Sequence, residues 1–208
     1  MDYRKLMQIK YHQNDLPANV RFKDSVAIDT ETMGLNPSRD RLCLVQISNG
    51  NGVCHLIKIN NNIKPSNLIK ILKDKEILKI FHYARFDIAI LKHSFKINID
   101  NIYCTKIASK LSRTYTDKHG YKDLCKELLN KEISKKEQTT DWGKKNLTTA
   151  QKKYAATDVL YLHQIKNELD KILLREKRIK LANSCFKFIK HRTDLDLIGW
   201  SEQDIFKH

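Results

Sequence analysis

The sequence predicts an α/β protein: a mixed central β-sheet of about five strands flanked by helices, with a helical C-terminal part. Three observations lead there. Short apolar, partly β-branched runs dominate the first half, the turn signal Asn49-Gly50-Asn51-Gly52 joins two of them, and from about residue 104 the apolar spacing becomes helical. Strands first, then a βαβ-like section, then helices is the element order of an α/β layer architecture.

Taken in order, DSVAIDT (24–30) and RLCLVQIS (41–48) read as strands, and VCHLIKI follows the Asn-Gly turn as a third, which makes a β-meander. Pro65 and Ser66 open a helix expected over 66–74. ILKIFH (77–82) reads as a buried strand. ARFDIAILKHSF (84–95) carries Phe86, Ile90, Leu91 and Phe95 at helical spacing, and NIDNIYC supplies a fifth strand over 98–103. Helices are expected over 104–112, over 121–130, and along a segment from 148 towards 190. The tail HRTDLDLIGWSEQDIF (191–206) holds Leu195, Leu197, Ile198, Trp200, Ile205 and Phe206, too many apolar residues for a disordered end, so it is expected to pack back onto the domain.

With 208 residues, 41% of them hydrophobic and 30% charged, the chain reads as one domain with a sizeable core. No apolar run reaches the roughly 18 residues of a membrane span, and MDYRKLMQIKYH lacks the apolar stretch of a signal peptide. Five cysteines, Cys43, Cys54, Cys104, Cys125 and Cys185, are scattered and never form a CxxC pair, which argues against a disulfide framework or a zinc ribbon and for a reducing cytoplasm. The net charge of +15 suits a polyanionic partner. Lysines outnumber arginines 30 to 9, however, and a bias of genome composition produces the same excess, so charge supports a nucleic-acid reading without making it.

The chemistry-bearing residues begin at VAIDTETMGLNP (26–37). Strand side chains alternate faces, so Asp29 and Glu31 point the same way, at the point where a strand gives way to the loop Met33-Gly34-Leu35. Two carboxylates so placed resist joint ionisation, and a divalent cation removes the conflict; hard oxygen ligands suit Mg²⁺ or Mn²⁺. Alone, the pair reads more readily as two solvated acids at a strand end. HYARFD places Asp87 just after a strand, where a first-turn helical acid is also commonplace. YAATD places Tyr154 and Asp158 four apart on one helix face.

Together and in order, IDTETMGL, FHYARFD and YAATD resemble the motifs of the DEDD superfamily of 3′→5′ exonucleases. Lys153 stands where the histidine branch carries its histidine, and Tyr154 selects the tyrosine branch. Closer similarity is to ribonuclease D: KEQTTDWGKKNLTTAQKKYAATDVLYL (136–162), RLCLVQISNG and YCTKIASKL resemble its segments, with Cys104 replacing an acid at a position not assigned to metal. The resemblance runs from about residue 20 to 205 and fits the compact bacterial form, without the helical HRDC domains of longer members.

The resemblance implies a ribonuclease H-like fold in a single exonuclease domain over 1–208, with a core at about 20–175 and a C-terminal helix and docked tail at about 176–208. It also implies two metal ions, Mg²⁺ or Mn²⁺, held by Asp29, Glu31, Asp87 and Asp158. Two cations about 4 Å apart can bind the attacking and leaving oxygens of an in-line displacement. On this reading Asp29 bridges them, Glu31 and Asp158 complete the site of the nucleophilic water, and Asp87 serves the leaving-group metal. Tyr154 orients the water, since a phenol titrating near 10 is a poor base at neutral pH. In the family the loop after the DxE pair grips the 3′-terminal ribose, a role that maps onto Met33, Gly34 and Leu35. Phe86 is a candidate stacking surface or a core residue; His82 either touches the scissile phosphate or is a satisfied core histidine. Trp142 reads as packing. The expected activity is hydrolysis at RNA 3′ ends with release of nucleoside 5′-monophosphates. Single-stranded DNA is the alternative polymer, and an inactive nucleic-acid-binding protein is the rival from another class. No GxxxxGK[ST] or GxGxxG loop supports a different phosphate-binding protein.

Overall fold

The structure, a computed structural model, describes residues 7–60, 62–134, 137 and 139–208. Residues 1–6, where the absence of a leader was read, and Lys136 and Gln138 of the ribonuclease D-like stretch lie outside them. Six strands form one mixed sheet in the order β1-β4-β3-β2-β5-β6: β1 Gln8–Gln13, β2 Ser25–Thr32, β3 Leu42–Ser48, β4 Val53–Lys58, β5 Leu78–Phe81 and β6 Ile102–Cys104. The helices are α1 Ser66–Lys73, α2 Ala84–Phe95, α3 Thr105–Ser112, α4 Tyr121–Leu129, α5 Thr149–Leu160, α6 Leu162–Arg175 and α7 Ile179–Leu195. With the sheet flanked by helices, this is the ribonuclease H-like arrangement that the motifs implied.

β2, β3 and β4 form the expected antiparallel meander, and β5 and β6 add in parallel beyond β2. Every residue of β3 is buried, as expected of a central strand covered on both faces. β1 is the strand that sequence reasoning did not find. QIKYHQ is polar and half-exposed, an edge strand that pairs in parallel with β4 and lies ahead of residue 20.

The expected long helix after residue 148 is three helices. Thr148 and Gln151 open α5 with a reciprocal capping box at 3.1 and 3.0 Å. α5 ends at Tyr161, whose backbone N–H donates to the Tyr121 hydroxyl at 3.3 Å; that hydroxyl donates at 2.7 Å to the Thr157 carbonyl. α6 ends where Lys177 turns left-handed at φ 57° and the Arg178 N–H reaches back to the Leu173 carbonyl. REKRIK contains no glycine or proline to announce that break. α5 packs across β2, β3 and β4, while α6 reaches β5 and α7 reaches β6.

The tail lies against α2 and α7, with the Phe206 ring 5.8 Å from that of Phe188 on α7, but most of its hold is polar. Arg85 makes a two-pronged pair with Asp196 at 2.7 Å and donates to the Ser201 carbonyl, and Arg192 donates to the carbonyls of Trp200, Ser201 and Gln203. Leu195 and Leu197 are half-buried; Ile198, Trp200, Ile205 and Phe206 remain exposed. Charge-assisted bonds do most of the work that apolar burial was expected to do.

Candidate active site

Asp29 and Glu31 lie on one face of β2, both half-buried, while Ile28 and Thr30 between and beside them are buried. The pairing with β3 slips between Glu31 and Thr32, and the chain leaves the sheet there. The loop is closed by a 3.0 Å bond from the Met33 N–H to the Arg41 carbonyl. Its tip presents Met33, 50% exposed, and Leu35, 87% exposed, as two apolar side chains in solvent beside the acids. At Gly34 the Asp40 carboxylate occupies the space a Cβ would need. Behind the loop, Gly143 lets backbone press against the Met33 sulfur and the Arg41 guanidinium.

α5 carries Tyr154 and Asp158 over the same face of the sheet. Carboxylate oxygens of Asp29, Glu31 and Asp158 all lie within 4.8 Å of one another. The Tyr154 hydroxyl and the Asp158 carboxylate share a hydrogen bond. Trp142, 2% exposed, packs its ring 6.1 Å from that of Tyr154 and is the packing residue the sequence suggested. The Tyr121 bond to the Thr157 carbonyl fixes the helix turn that bears Asp158.

Asp87 arrives from the other side. β5 runs into α2 through Tyr83, which adopts φ 67°, ψ 45°, a left-handed conformation uncommon for a bulky residue. This sharp turn puts Asp87 in the first turn of α2, 3% exposed, where it accepts a 2.7 Å hydrogen bond from the Thr30 hydroxyl. Among the described residues, the structure gathers three of the four expected acids into one cluster and sets the fourth against Thr30.

The electrostatics are those of a crowded anionic site. Burial pushes the Asp29 carboxyl up to about 7, against a pull from the Thr30 backbone. Burial raises Glu31 well above the carboxylate range, and the charges of Asp29, Asp158 and Asp87 add to it. Asp87 is raised by burial and then by Asp29, while the Thr30 bonds oppose the rise. Tyr154 is raised by burial and by the neighbouring acids, so its phenol stays protonated. A set of hard oxygen donors that cannot all ionise without a counter-charge fits a divalent cation such as Mg²⁺ or Mn²⁺.

His82 and Phe86 flank Asp87. His82 is half-buried, with Nδ1 2.9 Å from the Thr105 hydroxyl and its ring tilted against Tyr121. Thr105 donates its own proton to the Phe81 carbonyl, so Nδ1–H of His82 is the donor. Phe86 is half-buried against the core. Two residues at the site were not singled out from the sequence. Thr30 holds Asp87, and Gln46, directly across the sheet from Asp29, donates from Nε2 to Asp29 at 2.9 Å and to Glu31 at 3.4 Å. The one sequence signal for Gln46 is a lone amide within an apolar strand.

A cleft of about 940 Å³ lies elsewhere, between β6 and α7, and none of Asp29, Glu31, Asp87 and Asp158 lines it. The site itself lies at the C-terminal end of β2, with α5 packed over it.

The 3′-5′ exonuclease family profile matches residues 8–174. The chain is 28% identical over 179 residues to the Ribonuclease D of Bartonella henselae, covering 85% of this chain and 44% of that protein, so it spans less than half the length of this curated relative. Among solved structures, Brucella melitensis NrnC bound to pGG has a TM-score of 0.94 and 54% sequence identity, covering 97% of this chain and 99% of that one. Brucella melitensis NrnC with bound Mg²⁺ has a TM-score of 0.92 and 53% identity, covering 97% of this chain and 100% of that one.

Proposed function

Because the chain belongs to the 3′-5′ exonuclease family, we propose that it is a metal-dependent exoribonuclease of the ribonuclease D type, hydrolysing RNA from the 3′ end and releasing nucleoside 5′-monophosphates. The observation that carries this reading is the convergence of Asp29, Glu31 and Asp158 within 4.8 Å beneath the Tyr154 hydroxyl. Asp29, Glu31 and Asp158 would hold one cation, and Asp87 would help to hold a second. When bound, divalent cations make water nucleophilic near neutral pH and neutralise charge on the phosphoryl group and leaving oxygen.

The chain's own residues supply position. Tyr154, kept protonated, donates or accepts a hydrogen bond that orients the attacking water rather than abstracting its proton. The exposed Met33 and Leu35 take the terminal base and ribose on the lip of the site, with the Gly34 backbone between them. His82 and Phe86 face the terminal sugar and phosphate from the start of α2. The +15 net charge draws the polyanion in.

The polymer is RNA on this reading, as the name Ribonuclease D suggests for the relative. A second reading has a specific support: NrnC, 54% identical, was solved with pGG, a dinucleotide bearing a 5′ phosphate. Short oligoribonucleotides are therefore proposed as substrates alongside longer 3′ ends.

The deciding experiment digests matched 5′-labelled RNA and DNA with free or blocked 3′ ends, and pGG, in Mg²⁺, Mn²⁺ or EDTA. The expected result is stepwise shortening of free-ended RNA, cleavage of pGG, and no reaction in EDTA or with Asp29→Ala or Asp158→Ala. Undiminished digestion by either variant would sink the site assignment, and equal or faster digestion of DNA would sink the polymer assignment.

A further inference from the structure

Gln46 is 0% exposed in a strand whose other residues are all buried too. Its side chain is half-satisfied. Nε2 donates to Asp29 Oδ2 at 2.9 Å and lies 3.4 Å from Glu31 Oε1, while the Oε1 of Gln46 has no hydrogen-bond partner among the described residues. A buried acceptor left unpaired costs stability, and an apolar residue of similar length would fit the strand without that cost. The amide is therefore a poor choice for the stability of β3. What it supplies is on its nitrogen side alone.

That side has a chemistry suited to the place. An amide N–H is a neutral donor. It can hold two carboxylates without cancelling the negative charge that attracts a cation, as a lysine or arginine there would. It also engages one oxygen of each carboxylate, so the second oxygen of each is left for a ligand. The pairing of Asp29 with Gln46 across the β2–β3 ladder fixes the amide relative to both acids through backbone geometry, not through a mobile loop.

We propose that Gln46 is a positioning residue for the metal-binding carboxylates, holding Asp29 and Glu31 in the orientation that receives a divalent cation. The inference rests on the exonuclease reading of the same site and assigns a role to a residue outside the acid and tyrosine set.

The test is calorimetric titration of Mn²⁺ into the parent protein and into Gln46→Met and Gln46→Leu, with thermal melts in EDTA and steady-state kinetics on a short RNA. Both variants should stay folded in EDTA with melting temperatures close to that of the parent, because removing the unpaired acceptor offsets the loss of the N–H donor to Asp29. They should bind Mn²⁺ about 10- to 100-fold more weakly, with kcat lowered and KM for the oligonucleotide unchanged. Parent-like Mn²⁺ affinity in either folded variant overturns the proposal, and so does a large drop in melting temperature for both, which would make Gln46 a structural residue. A parent protein that binds no Mn²⁺ would instead defeat the reading of the whole site, so the two failures are distinguishable.

Discussion

The Thr30 hydroxyl donates a 2.7 Å hydrogen bond to the Asp87 carboxylate, joining β2 to α2 across 57 residues of sequence. Thr30 sits between Asp29 and Glu31 but faces the other way, so one strand presents two acids on one face and secures a third acid from the opposite one. Replacing Thr30 by Val keeps the shape and takes the hydroxyl donor from a buried carboxylate, leaving it the backbone N–H groups of Thr30 and Asp87. The expected loss is roughly 1–3 kcal/mol of stability, with Thr30→Ser restoring most of it. Chemical denaturation of the three proteins measures this, and a Val variant as stable as the parent would refute it.

Tyr154 tests the division of labour between orientation and proton transfer. Burial and three nearby acids hold its phenol protonated. Tyr154→Phe should lower turnover on the order of 100-fold, the scale of a misplaced reactant, and leave the positions of the limbs of the pH–rate profile unchanged. Disappearance of a limb in the Phe variant would mean that the phenol is itself the titrating base.

His163 offers a pH dependence away from the acids. Its Nε2 lies 3.1 Å from the Ser25 hydroxyl, its Nδ1 is buried without a partner among the described residues, and burial, with Lys166 nearby, lowers its pKa to about 4. The folded pKa lies below the unfolded value near 6.5. As pH falls, the unfolded chain takes up the proton first, so the contribution to stability is complete above about 6.5 and is lost on the way down to 4. Relative to His163→Phe, the parent should lose on the order of 2 kcal/mol between pH 7 and pH 5. Denaturation curves of both proteins at the two pH values measure it. A constant gap would show that the histidine protonates freely in the fold.

The tail is held by two arginines, and each should be separable from the rest of the fold. Arg85→Ala removes the pair with Asp196 and one bond to the Ser201 carbonyl, and Arg192→Ala removes a second bond to that carbonyl and bonds to the carbonyls of Trp200 and Gln203. Faster amide exchange over residues 196–203 is expected in either variant, fastest in the double variant, with β2 and β3 unaffected. Unchanged exchange in the double variant would place the hold on the tail elsewhere.

Much of this architecture is written in local patterns. Strands β2 to β5 and helices α1 to α4 follow alternation, turn and helical spacing to within one or two residues. β1 escaped because an edge strand need not be apolar, and the break at Lys177 because a left-handed lysine carries no composition signal. Tyr161 ends α5 through a hydroxyl forty residues earlier in the chain, which no local window contains.

The sequence by itself named the candidate residues. Asp29, Glu31, Asp87, Tyr154 and Asp158 stand out because their motifs, taken in order, resemble those of an exonuclease family, while spacing on a strand or helix fixes only the direction in which each side chain points. Only the tertiary structure decided how they meet. The approach of α5 over β2 brings Asp158 to the DxE pair, the bond from Thr30 sets Asp87 apart, and the β2–β3 register places the Gln46 amide against two carboxylates. The reason is physical. Direction along an element is a local property of the backbone, whereas distance between elements, and the burial that raises Asp29 to about 7, exist only once the sheet and its covering helix have packed.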